Sequence, residues 1–238
     1  MTTSFKRAGG TGLALALLTG CSLLSTRKTG PASVNELVNA VERVHVAAEV
    51  SKTRVHGAIE VLGTILSPDF DGNAQWGHQQ LIDAIERSEE QAETLRDAVD
   101  VMRENASPVF EQWTTNLESF SDSEMRLRSL TRLVGSRERF DAIVTTSAPA
   151  QTALDNLNRT LRDRALFLSH DFNPTTIASL RGDAVSLVTM LEDVDAKVVA
   201  LLAAAQTYVD SAAMPVTVDP PPDAPAVVRP GDGGDPSP

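Results

Sequence analysis

NPTTIASLRGDAVSLVTMLEDVDAKVVALLAAAQTY, residues 173–208, decides the fold class. Asn173 followed by Pro174 is a helix start: an N-cap side chain, then a proline whose missing N–H costs nothing in the first turn. From there Ile177, Leu180, Ala184, Leu187, Leu191, Val194, Val198, Leu201, Ala205 and Tyr208 recur in alternating steps of three and four. That period places one apolar stripe on a helix, and it predicts a single uninterrupted a/d seam.

The same period extends upstream. Ser33-Val34-Asn35-Glu36 fits a capping box. Beyond it Val34, Leu37, Val41, Val44, Ala48, Val55, Ala58, Leu62 and Ile65 form a stripe interrupted only by Ser51. This predicts a first helix of about 35 residues, roughly 50 Å long. Proline, glycine and Asx turn chemistry end it at residues 67–73. A second seam runs through Leu81, Ile85, Ser88, Ala92, Leu95, Val99, Met102, Ala106, Val109, Trp113 and Phe120, with Pro108 inside it. Because the heptad phase is unchanged across Pro108, a kink near Glu104 is expected rather than a break. Ser121-Asp122-Ser123-Glu124 is a second capping box and opens a third helix. Its seam is Leu130, Leu133, Phe140, Val144, Leu154, Leu161, Ala165 and Leu168. Pro149 leaves open one kinked helix or two shorter ones.

Short connections at residues 67–73, 119–122 and 169–173 favour antiparallel neighbours. The expected fold is therefore all-α, an elongated antiparallel four-helix coiled-coil-like bundle over residues 32–213. Residues 214–238 are expected to be a disordered tail: eight of the thirteen prolines fall in the last 24 residues, a composition that cannot build a core.

The beginning of the chain supplies the address. Lys6 and Arg7, an apolar run from Leu13 to Leu18, and Thr19-Gly20 before the only cysteine, Cys21, read as a lipoprotein signal peptide over residues 1–20. Lipidated Cys21 would then start a short tether, residues 21–31, and Ser22 rather than aspartate after it favours the outer membrane, facing the periplasm. The most apolar later stretch, residues 198–205, is far shorter than the roughly 20 residues a span needs, so the expected partner is a membrane reached through lipid. With one cysteine, no intrachain disulfide forms. The formal charge of −11 argues against nucleic acid as a partner, since binding to phosphates needs clustered cations.

Four stretches carry a family resemblance. The most specific is Leu166-Phe167-Leu168-Ser169-His170-Asp171-Phe172-Asn173 with Ile177-Ala178-Ser179-Leu180 and Gly182; the others are Phe70-Asp71-Gly72, Val109-Phe110-Glu111-Gln112-Trp113, and Pro149. Over residues 35–210 the chain resembles an uncharacterised family of bacterial lipoproteins, domain of unknown function 2959. It departs from that pattern at Ser169 and Pro174, where lysine and alanine are usual. The resemblance implies an envelope lipoprotein of long helices and brings no activity or functional residues with it.

Chemistry is sparse in the residues themselves. His45 and His56 are too far apart on one helix for a shared metal ion, and with His78 and His170 they are the only histidines, so no metal site is expected. His170 and Asn173, in the turn before the last helix, are expected to clamp that loop. No nucleophile elbow, phosphate cradle or redox dithiol is present, so neither an enzyme nor a cofactor is expected. Trp76, Trp113 and Phe110 are expected in the core, or else lining a ligand pocket between helices. Asp83, Glu90, Asp97 and Glu104 share one outer column of the second helix, and Glu86, Glu93 and Asp100 the next. These seven acids form a candidate docking ridge for an envelope protein with a basic surface, or for the arginine-rich third helix, which holds eight of the seventeen arginines, among them Arg126, Arg128, Arg132, Arg137 and Arg139. The function expected is a membrane-anchored scaffold or adaptor; the alternative is a small-molecule-sensing four-helix bundle in the periplasm.

Overall fold

The computed structural model describes residues 31–212, and all regular structure among them is helical. The elements are α1 (Pro31–Leu66), α2 (Ala74–Glu118), α3 (Ser123–His170), α4 (Pro174–Gly182) and α5 (Ala184–Ala212). Cys21, the expected signal peptide, the expected tether up to residue 30 and the Pro/Gly-rich segment 214–238 lie outside the described residues, while Pro31, expected in the tether, begins α1.

The seams define the core. Leu37, Val41, Val44, Ala48, Val55, Ala58, Leu62 and Ile65 of α1 are buried, as are Leu187, Val194, Val198, Leu201, Ala205 and Tyr208 of α5. α1 packs on α2 and α5, and α3 packs on α2 and α5. Ser51, the interruption in the α1 stripe, is fully buried; its hydroxyl donates to the Ala47 carbonyl at 2.8 Å, which removes the cost of an orphaned donor. Ser88 likewise donates to Asn158 across the α2–α3 interface at 2.7 Å.

Several local expectations shift. α1 is already helical from Pro31, so Ser33 lies within the helix rather than ahead of it, and Val34 is exposed. The cap of α3 is Asp122, not Ser121. Its carboxylate accepts from the Glu124 and Met125 amides at 2.8 and 3.2 Å, and a charged cap also complements the helix dipole. Phe120 falls beyond the end of α2 and is exposed, so Leu117 holds the last buried position of that helix instead. Leu130 is exposed, while Ile143, Ala150 and Leu157 complete the buried face of α3. Both α2 and α3 continue through their prolines.

The last helix is not continuous. Its hydrogen bonding is interrupted at Asp183, directly after Gly182, which is a poor helix former. Asp183 keeps φ −85° and ψ −3°, close to helical, so the seam phase survives the interruption and Leu180 and Leu187 are buried on either side of it.

The loops at one end are tied together. The Phe70 and Phe172 rings lie 6.3 Å apart, and a Cβ on Gly72 would meet the Phe70 ring at 2.8 Å. Arg181 Nε donates to the Leu66 carbonyl, satisfying the end of α1, and the His78 ring nitrogen Nε2 lies 2.9 Å from the Ala165 carbonyl. Two of the stretches that carry the family resemblance, 70–72 and 166–173, therefore meet here.

Candidate functional site

The acidic face of α2 is the most distinctive surface, and the structure divides it in two. In the column nearer α3, Glu93 pairs with Arg96 and Asp100 with Arg103 at 3.3 Å. Glu86 lies near Arg162, whose guanidinium is pushed above its ordinary value chiefly by its hydrogen bond to Glu89. In the other column Asp83 is half-buried and accepts from Gln79 at 2.8 Å. Glu90, Asp97 and Glu104 are exposed and make no ion pair.

α3 is attached to α2 through other groups. Arg162 pairs with Glu89, and Arg96 reaches Asp155 at 2.9 Å. Of the arginines near the start of α3, Arg128 pairs within its own helix with Glu124. Arg137 lies over the Phe110 ring at 5.5 Å and donates to Thr114 at 3.1 Å. Of the ridge, only Glu86 lies near one of these α3 arginines, Arg162, while Glu93 and Asp100 pair with arginines of α2 itself.

The unpaired column meets an apolar groove at Asp97. Val46, Ala47 and Val50 of α1 and Ala98 and Val101 of α2 line an open cleft of about 800 Å³, with Glu42, Arg43 and Asp97 at its rim. Val46 is 58% exposed and Val101 40%. These valines lie off the a/d seams, and their spacing, i and i+4 in α1, i and i+3 from Ala98 in α2, is a second apolar stripe that a search for one seam passes over.

The other candidates separate. His170 ends α3, is exposed, and its ring makes no hydrogen bond. The turn is clamped by its neighbours: Asn173 caps α4 by accepting from the Thr176 amide at 2.9 Å, and Asp171 accepts from the Thr176 hydroxyl at 3.1 Å. A histidine cannot replace the short side chains that reach back to a helix N-terminus. His56 lies 2.8 Å from Asp195 of α5, which Lys52 also approaches at 3.4 Å. Among the described residues no group of three or more His, Cys, Asp or Glu side chains could hold a metal ion. Trp76 is exposed at the start of α2, while Trp113, hydrogen-bonded to Ser129 at 3.0 Å, and Phe110, edge-on to Phe140 at 5.5 Å, sit near its end. The three rings therefore line no common cavity.

Tyr208, the only tyrosine, is buried in the α3–α5 seam, and burial pushes its phenol above the ordinary 10.0, with Ser136 and Arg139 opposing. The folded state therefore holds this proton more tightly than the unfolded chain. The associated stability is fully present below about pH 10 and is lost as pH rises through the folded value. Tyrosinate absorbance should rise at higher pH in the native protein than in the urea-unfolded chain. Coincident titrations would place the ring in water.

Among the described residues no helix is long and apolar enough to cross a membrane. No curated protein and no solved structure matches the chain. The family described as protein of unknown function (DUF2959) matches residues 25–212, which include the whole helical body, and the chain belongs to that family.

Proposed function

We propose that this protein is a lipid-anchored envelope scaffold, an elongated antiparallel four-helix coiled-coil-like bundle that holds a basic, partly apolar partner in the α1–α2 groove and catalyses nothing. The antiparallel reading is supported by the order of contacts. Ile65 lies by Gly77 and Ser51 by Gln91; His78 meets Ala165 and Trp113 meets Ser129; Arg164 meets Ser186 and Tyr208 meets Ser136. Each pair moves forward on one helix and backward on the next. The lipobox ending at Cys21 supports attachment through lipid at an outer membrane, on its periplasmic side.

One observation carries the docking role: Glu90, Asp97 and Glu104 are exposed and make no ion pair, and Asp97 stands at the rim of an exposed apolar groove. Unpaired acids supply complementarity to cations, and exposed valines supply area to bury. A ligand receptor would instead need polar groups converging on a cavity. The buried hydroxyls of Ser51 and Ser147 are spent on backbone carbonyls, and that of Ser88 on Asn158.

A photo-crosslinking residue placed at Val101 in intact cells should capture a discrete partner, and the same residue at Val199, exposed on α5, should not. Equal capture from both positions would remove the groove from the account.

A further inference from the structure

The end of the bundle at which α1 begins carries a second exposed surface. The register that sets Ser51 beside Gln91 brings the start of α1 level with about Glu111 of α2, and that of Tyr208 beside Ser136 brings the end of α5 level with about Arg132 of α3. Beyond those levels α2 continues to Glu118 and α3 begins at Ser123, so a two-helix tip extends about 10 Å past the described part of α1. Phe120, Met125, Leu127 and Leu130 on this tip are 36%, 55%, 62% and 42% exposed. Between those levels it carries Glu118, Asp122 and Glu124 against Arg126 and Arg128, a net charge of −1 in a chain whose net charge is −11. An anionic surface therefore repels the tip only weakly.

We infer that the α2–α3 tip inserts these apolar side chains into the bilayer surface on which the protein is anchored, giving the bundle a second, non-covalent foothold. This rests on the reading of Cys21 as the lipid attachment. Residues 21–30 separate that cysteine from the described part of α1, and ten residues span at most about 35 Å, which confines the start of that part, and the tip extending past it, to the neighbourhood of the lipid. Exposed large apolar side chains clustered at such a position mark an interaction surface, and side chains of this kind settle at the boundary between headgroups and acyl chains. The opposite end of the bundle, with exposed Trp76 at the start of α2, faces away from the lipid in this arrangement.

The test uses the full, acylated protein reconstituted into vesicles of phosphatidylethanolamine and phosphatidylglycerol with brominated acyl chains, which quench nearby indoles. In a Trp76→Phe, Trp113→Phe background, Phe120→Trp should lose about half its emission, because the ring would sit within the headgroup–acyl boundary. The Trp113→Phe protein, which reports Trp76 alone, should keep its emission. Adding Met125→Glu and Leu127→Glu to the first protein should restore its emission without changing acyl labelling at Cys21. Unquenched emission from Phe120→Trp in a labelled protein overturns the foothold and leaves the anchor intact; so does equal quenching at both ends. Absence of acyl label on Cys21 overturns the anchor and the foothold together.

Discussion

Val194→Asp should destabilise the bundle by about 3–5 kcal/mol, the cost of leaving a charge buried without a partner. Val194 is fully buried at the middle of α5, in a seam whose neighbours Leu187, Val198 and Leu201 offer no donor to an aspartate. A single domain is typically stable by only about 5–15 kcal/mol, so much of the total is removed. For a chain of this length the melting temperature should fall by about 10 °C or more. Val199→Asp, five residues along and half exposed, should change it by no more than about 2 °C, since it buries no charge. Thermal unfolding followed by circular dichroism reads both. Comparable melting of the two variants would mean that α5 turns a different face inward.

Cys21→Ser should abolish acylation and release the protein from the membrane fraction. The effect is expected to be nearly all-or-none, because no helix among the described residues can span a bilayer and the body is acidic. An apolar tip of four side chains cannot hold a protein as acyl chains do, each buried methylene contributing about 0.8 kcal/mol. Metabolic labelling with a fatty-acid analogue, followed by fractionation, decides it. Full labelling and full membrane retention of the variant would remove Cys21 as the anchor.

Helix positions and most of the core were legible in the sequence because a packed helix must repeat its apolar side chains every three or four residues. The α1 seam from Leu37 to Ile65 is buried as its spacing requires, with Ser51 as its one polar member. Other features answer to different physics. The interruption at Asp183 leaves the apolar phase intact, so periodicity is blind to it; only Gly182 signals it. Phe120 and Leu130 keep the spacing of a seam but lie beyond the described spans of α1 and α5, and burial depends on a neighbour being present. The clamp after α3 was legible in Asn173 but not in His170, because geometry at a helix start selects short acceptors. The acidic columns could be placed on α2 from the sequence. The pairs Glu93–Arg96 and Asp100–Arg103 are local, three residues apart on α2, whereas the meeting of the other column with the α1–α2 groove at Asp97 is a tertiary property.

The same division makes the docking account testable without disturbing the fold. Glu90→Lys, Asp97→Lys and Glu104→Lys together reverse the column that has no counter-ions, so no ion pair is broken. Exposed charges removed from any pair change stability by a few tenths of a kcal/mol each. Glu93→Lys and Asp100→Lys reverse the paired column and serve as the comparison. The decisive measurement is crosslinking in intact cells with mass spectrometry of the captured proteins, alongside melting of each purified variant. Loss of the captured partner in the Glu90, Asp97 and Glu104 triple variant, with its melting temperature unchanged and capture retained in the comparison variant, is the result predicted. Capture of the same partner by the triple variant at wild-type yield would contradict the docking groove.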